Sequence, residues 1–424
     1  MEHLATVTVT TFAAASAWRA IERYRAERRG WGVVRPSSRP ALRVALFSGN
    51  YNCVCDGANQ ALNQLVRHLL EVEGAEVRIY SPTIDHPAFE PVGTIVPVPS
   101  VPIPGRREYR LALGLPREVA EDVRRFAPDI LHLSAPDILG RQALDFARSL
   151  GIPVVTSLHT RFETYLDYYG LRWLQRPVER WLHNFYARSD RILVPTRAIL
   201  EDMRAKGLGD RASIWGRGID PAIFTQAHRD ASWRHGHGYS DDEMIPLFFG
   251  RLVLEKGLKP FVETITLLRD KGHRLRPLII GDGPARGWLA ERLPNVVFTG
   301  HLKGKELGRA VASADILINP SLTEAFGNVT LEAMASGLAV ICPDVGSTRE
   351  LIASERTGLL IRMPEPHAYA LGFERLFQDR QLCSRIRNAA AWEAHKHSWD
   401  RENARVVAAY REVLREPAAS QIAR

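Results

Sequence analysis

The stretch LTEAFGNVTLEAMASG (322–337) sets Glu324 and Glu332 eight positions apart around a Phe326-Gly327-Asn328 core. Thr323 to Gly327 are loop residues. From Asn328 onward Val329, Leu331, Met334 and Ala335 recur at helical spacing, and Gly337 suits the position just past a helix end. A strand-like LAVIC follows. Glu332 lies four residues after Asn328, on the same helix face, and leans back toward the helix start. Glu324 stands ahead of it. Between the two carboxylates lie the N–H groups of Gly327, Asn328 and Val329, and a helix start attracts anions, phosphate above all. The pattern suits a ligand with an anionic middle and a hydroxyl-rich group at each end, which describes a nucleotide-sugar. Alone, such a pair is more often one solvated helix residue and one loop charge, so the rest of the chain has to decide.

Cations stand in the same half. FGRLVLEKG (249–257) follows a strand and opens a helix, putting Gly250, Arg251 and Lys256 within reach of a diphosphate at the Glu324–Glu332 loop. Arginine grips phosphate bidentately and lysine acts as a point charge. Alone, this is an ordinary charged loop. No Asp-x-Asp triplet occurs, and sites that hold a diphosphate through a divalent metal need such carboxylates. The consistent expectation is therefore a site without a metal or other cofactor. GDGP (281–284) ends a strand with a tight turn, and Gly281 and Gly283 permit close backbone approach. No G-x-G-x-x-G follows, which disfavours a dinucleotide site.

The elements that must position these residues come from a chain of 424 residues, enough for two or three domains. A hydrophobic content of 45% and a charged content of 25% are those of an ordinary globular protein. Four cysteines, Cys53, Cys55, Cys342 and Cys383, form neither a disulfide framework nor a zinc pattern, and a reducing cytoplasm is the expectation. The net charge of +8 points to an anionic partner. The arginines are scattered, and no basic stripe carries interleaved aromatics, so a nucleic-acid partner is not expected. No run of 18 apolar residues suggests a membrane span. Residues 1–40 form a basic extension without the n-region of a cleaved signal peptide. Within it Trp18, Ile21 and Tyr24 fit one side of a helix, with Arg19, Arg23, Arg25, Arg28 and Arg29 around it. A helix lying on an anionic membrane surface and a disordered extension describe this stretch equally well.

From Arg43 the chain alternates short apolar runs with helical segments. RVALFSG, EVRIYSP, DILHLSAP, PVVTSLHT, RILVPT and SIWGRGI make six strands in the first half. PLFFGRL, RPLIIGDG, VVFTG, ILINPS, LAVICPD and GLLIR make six in the second. Apolar runs of this kind mean parallel sheets covered on both faces. The expected organisation is a Rossmann-like domain over 41–225, a linker over 226–243, a second Rossmann-like domain over 244–395, and a C-terminal helix in 396–424 packing back on the first. The proline-rich stretch 82–110 is either an ordered loop near an acceptor site or a surface excursion. In such sheets ligands bind beyond the carboxyl ends of the strands. The unusual residues stand there: Gly49, Asn50, His159, Arg217, Gly218, Gly250, Arg251, Gly281 to Pro284, Gly300, His301 and Glu324.

The segments GRLVLEKG, GDGP, VVFTGHL and EAFGNVTLEAMASGLAVI resemble, in order and spacing, the C-terminal domain of the retaining nucleotide-sugar glycosyltransferases of family 4. DGANQALNQL, SLHTRFETYLDYYG and WGRGID are similar to the subgroup of sulfoquinovosyl-diacylglycerol synthases and GDP-mannose-dependent α-mannosyltransferases. The resemblance covers roughly residues 42–400. It implies an α/β protein of the GT-B fold, two Rossmann-like domains facing across a cleft. The implied enzyme moves a hexose with retention from a GDP- or UDP-linked donor to a lipid, lipid-linked or saccharide acceptor. Glu324 would bind the donor sugar hydroxyls, Glu332 the ribose diol, and Phe326, Gly327 and Asn328 would present backbone amides. Arg251 and Lys256 would stabilise the leaving diphosphate, and His159 would sit near the reacting centre. Asp56 and Gly57 stand where the family has paired glycines, which weakens that assignment, and Arg217 is a phosphate or acceptor contact. The implied location is cytoplasmic, peripheral on the inner membrane face. A hydrolysing epimerase on the same fold and a non-enzymatic anion-binding protein are the competing readings.

Overall fold

The computed structural model describes residues 41–103, 106–161 and 172–415. The basic extension 1–40, most of SLHTRFETYLDYYG and residues 416–424 lie outside these, and with them the expected membrane-surface helix. The first domain is built on seven parallel strands. In chain order they are β1 (Arg43–Phe47), β2 (Glu76–Ser81) and β3 (Thr94–Pro97), then, after an antiparallel hairpin of β4 (Ser100–Ile103) and β5 (Arg106–Ala112), β6 (Ile130–Leu133), β7 (Val154–Ser157), β8 (Arg191–Val194) and β9 (Ala212–Ile214). They lie in the order β3-β2-β1-β6-β7-β8-β9. The second domain holds β10 (Pro246–Phe249), β11 (Leu278–Ile280), β12 (Val297–Gly300), β13 (Ile316–Ile318), β14 (Ala339–Pro343) and β15 (Leu359–Ile361), ordered β12-β11-β10-β13-β14-β15.

Both sheets are buried on both faces. Val44 and Leu46 point into one cluster with Leu62, Leu65, Tyr410 and Val413, while Ala45 and Phe47 join another with Leu131, Leu144 and Val194. Each Val, Leu or Phe among them removed from water contributes about 1.5–3 kcal/mol, and this explains the unbroken apolar runs in the sequence. The two Rossmann-like domains read from the alternating apolar runs, and implied by the resemblance as a GT-B fold, are the architecture found.

Two details differ from the sequence reading. The described residues of the proline-rich stretch 82–110 form strands: β3 joins the first sheet, and the antiparallel β4–β5 pair borders the cleft. The stretch 226–243 is no free linker. Its short helix Ala231–Gly236 buries Trp233, and Tyr239 follows into the same core as Ile245, Leu247 and Leu278. Buried Arg234 ties it to Asp315 at 3.1 Å. The chain already enters that core at Ile219 and Phe224. The crossing therefore falls near Gly216–Ile219, where Ile219 N–H donates to His397 O at 2.9 Å. A Cβ on Gly218 would lie 2.2 Å from the Trp399 backbone nitrogen, so only glycine lets the outgoing and returning chains pass this closely. The returning helix Trp399–Arg415 then packs Val406, Val407, Tyr410 and Val413 against the first sheet.

Candidate active site

In each sheet the strand order reverses beside its first strand, β1 next to β6 and β10 next to β13, and their carboxyl ends open on one cleft of about 1040 Å³. It is lined by Asp56, Gly57, His159, Arg217, Gly250, Arg251, Lys256, Gly281, Glu324, Phe326, Gly327, Asn328 and Glu332, so the structure brings together nearly all the residues singled out above. Gly283, Pro284 and Gly300 are the exceptions. A Cβ on Gly283 would meet Leu252 O at 2.5 Å, and that glycine serves turn packing rather than the cleft.

The second domain's wall is built around the helix Asn328–Ala335. Gly327 precedes it in the left-handed region at φ 98°, a conformation that favours glycine, and no side chain caps the first turn. The residues of this helix start, Gly327, Asn328 and Val329, line the cleft. Asn319 fixes the helix from behind by donating to Thr330 Oγ1 at 3.1 Å. Lys256 reaches this wall because Gly257, at φ 79°, seats the loop where a Cβ would meet Pro320 C at 2.7 Å. Lys256 Nζ then lies 2.8 Å from Glu324 Oε1. The Glu332 carboxyl has no hydrogen-bond or ion-pair partner among the described residues. Burial pushes its carboxyl up to about 8, so the free protein holds it partly protonated at neutral pH. Phe326 is buried in the domain core, 6.0 Å from the Arg217 guanidinium, and only its backbone can serve a ligand.

The first domain brings a second helix start, Gly57–Glu71. Asp56 caps it by accepting from Asn59 N–H at 2.9 Å, and burial raises its carboxyl above the usual range despite that bond. A Cβ on Gly57 would lie 2.2 Å from Asn328 Nδ2, so the two helix starts nearly touch across the cleft. Tyr109, on β5, accepts from Arg251 Nη1 at 2.5 Å and also bridges the domains. Sequence reasoning did not single it out, because nothing in a proline-rich stretch announces a hairpin aimed at a cleft.

His159 is more committed than its residue type suggests. Its Nδ1 lies 2.9 Å from Arg217 Nη2 and its Nε2 lies 2.8 Å from Ser157 Oγ. Burial, with Arg217 beside it, holds the imidazole neutral, well below the usual histidine range. Arg217 is 3% exposed and donates to Trp215 O and Gly216 O at 3.0 and 2.9 Å. Burial brings it down to about 10, which still leaves it charged at neutral pH. Its Nε–H and the second Nη2 hydrogen have no partner among the described residues. No cluster of three or more His, Cys, Asp or Glu is placed to hold a metal among the described residues, and no helix there is long and apolar enough to cross a membrane.

Two parallel-sheet domains with facing helix starts and cations over one cleft define the GT-B class of transferase. Comparison with known proteins agrees. Residues 55–223 match the Glycosyltransferase Family 4 model and residues 244–379 the Glycosyl transferases group 1 model. The GDP-mannose-dependent alpha-mannosyltransferase of Mycolicibacterium smegmatis is 34% identical over 328 residues, 76% of this chain and 84% of that protein. Sulfoquinovosyl transferase SQD2 of Arabidopsis thaliana is 30% identical over 366 residues, 84% and 71% of the two chains. The sucrose-phosphate synthase structure from Thermosynechococcus elongatus superposes with a TM-score of 0.71 at 19% identity, over 88% of this chain and 99% of that one. The chain belongs to glycosyltransferase family 4, and it is an enzyme.

Proposed function

We propose that this enzyme transfers a hexose, with retention, from a nucleoside-diphosphate sugar to a lipid or lipid-linked acceptor, without a metal. The observation that carries the donor reading is the pair of carboxylates flanking an uncapped helix start. Glu324, held by Lys256, takes the sugar hydroxyls; unpartnered Glu332 takes the ribose diol; the amides of Gly327 and Asn328 take the diphosphate. The GDP-mannose dependence in the name of the mycobacterial relative supports mannose on GDP as the first donor to try, with UDP-linked sugars second.

In the reaction the bond from the anomeric carbon to the donor phosphate oxygen breaks. A bond to the acceptor hydroxyl oxygen forms on the same face, and the acceptor proton passes to the departing phosphate oxygen. Negative charge grows on the diphosphate, and Arg217, Lys256 and Arg251 stand ready to stabilise it without reorganising. His159 has both nitrogens engaged, so it serves position rather than proton transfer. Asp56 and Gly57 lie on the acceptor side. The lipid reading of the acceptor rests on the first domain's part of the cleft wall, where Ile103, Leu111, Val178, Trp181 and Leu182 present apolar surface. The enzyme then works peripherally, at the inner face of the membrane.

A thermal-shift series with UDP, GDP, ADP and their sugar conjugates in EDTA tests the donor. A ligand that binds only the folded state must raise its stability. A clear shift with one base is the expected result. No shift with any of them, or activity that strictly requires Mg²⁺ or Mn²⁺, overturns the reading.

A further inference from the structure

Behind His159 a buried polar chain continues away from the cleft. Ser157 Oγ lies 2.8 Å from His132 Nε2, and His132 Nδ1 lies 2.5 Å from the Tyr410 hydroxyl. His132 is fully buried and Ser157 is 1% exposed. The Trp215 ring packs edge-on against both imidazoles, with centroids 5.9 Å from His132 and 5.3 Å from His159, and keeps the chain dry. These polar groups come from three elements: β6, β7 with the loop after it, and the C-terminal helix.

The direction of the first link follows from chemistry. A guanidinium can only donate, so His159 Nδ1 must be bare and accept from Arg217. The neutral ring then carries its proton on Nε2 and donates it to Ser157 Oγ. Whichever way the hydrogens run beyond Ser157, two further contacts hold that oxygen where it must accept. Remove them, and His159 is free to turn over or change tautomer. A proton on Nδ1 would then face the arginine. The same C-terminal helix supports the arginine segment a second time: Glu402 accepts from Gly216 N–H at 2.8 Å and is itself braced by Arg405 at 2.9 Å.

We propose that Ser157, His132 and Tyr410 are positioning residues for the transfer reaction. They lock His159 in the tautomer with a bare Nδ1, and His159 in turn aims the Arg217 guanidinium at the donor diphosphate. The C-terminal helix, which returns to the first domain after the second is complete, thereby sets the geometry of a cleft arginine. This rests on the reading of Arg217 as a diphosphate contact.

The test combines spectroscopy with a mutant cycle on the full chain. In the wild type, the ¹⁵N signals of His159 should show protonated Nε2 and bare Nδ1; a protonated Nδ1 overturns the proposal even if every variant misfolds. Ser157→Ala and Tyr410→Phe should each lower kcat by about tenfold, the scale of a slightly misplaced catalytic group. The donor KM should move less, and the single-tautomer signature should be lost. In an Arg217→Ala background, Ser157→Ala should lower Tm as before yet leave kcat where Arg217→Ala put it. Unchanged kcat in both single variants, or losses that simply multiply with that of Arg217→Ala, overturn it. Nucleotide binding by the wild type is measured alongside, so a failed donor reading is told apart from a failed relay.

Discussion

At the scale of residues, the two glutamates differ in state although the sequence presents them alike. Glu324 is paired with Lys256, whereas the Glu332 carboxyl has no partner among the described residues and is raised to about 8. A raised folded-state value means that the folded protein prefers the protonated acid. Stability from this group is complete below the usual carboxylate range and is lost as pH rises toward that value. Glu332→Gln should therefore melt a few degrees higher than the wild type without ligand, by a margin that grows from pH 5 to pH 8 by about the amount linkage allows. Its affinity for the donor should fall, because an amide receives the ribose diol less well than a carboxylate. In the wild type, donor affinity should climb as pH approaches the same value. A flat melting difference across this range counts against the assignment. Glu324→Ala should keep its fold and lose turnover by about a hundredfold or more, the scale of a lost transition-state contact; a folded variant with near-normal rate removes that role.

At the scale of elements, two glycines let strand-end turns stack over the cleft. Gly281 sits at φ 133°, and a Cβ there would lie 1.9 Å from Gly250 O. Backbone cannot yield as a side-chain tip does. Gly281→Ala should therefore cost about 2–4 kcal/mol in denaturant unfolding, with donor binding lost at temperatures where the protein is still folded. Gly57→Ala meets only the end of Asn328 and should be far milder. The helix starts, the Lys256 loop and the Glu324 loop were legible in sequence because each is local. Turn glycines, helical spacing and charges within a few residues report on their own neighbourhood. The β4–β5 hairpin and its Tyr109 were not legible, because a short hairpin among prolines leaves no periodicity to read.

At the scale of the whole molecule, the cleft is bridged at several points. Tyr109 accepts from Arg251, and Lys303 donates to Ala88 O at 2.7 Å. Tyr109→Phe removes the hydroxyl that engages Arg251 and should change the donor KM by a few-fold while Tm stays nearly constant; an unaltered KM would mean Arg251 does not meet the donor. The net charge of +8 and the arginines of residues 1–40 bear on the membrane. Removing those residues should weaken binding to anionic liposomes by about the effect of several surface charges, and added salt should narrow the difference. Equal binding by both forms at low salt discards a membrane role for the extension.

The sequence by itself determined the family, the parallel-sheet architecture and the candidate site residues, nearly all of which line the cleft. Those features are written in local patterns: apolar runs between helices, glycines at strand ends, carboxylates and cations at helix starts. Tertiary structure alone decided which of these groups are already spoken for. It paired Lys256 with Glu324, left the Glu332 carboxyl without a partner among the described residues, drew 226–243 into the second core, and joined Arg217 to Tyr410 through three intervening side chains. Residues 132, 157, 159, 217 and 410 share no spacing that a sequence could display. They meet because parallel strands bring distant segments side by side and the last helix returns across the first sheet, where a dry interior makes each hydrogen bond obligatory.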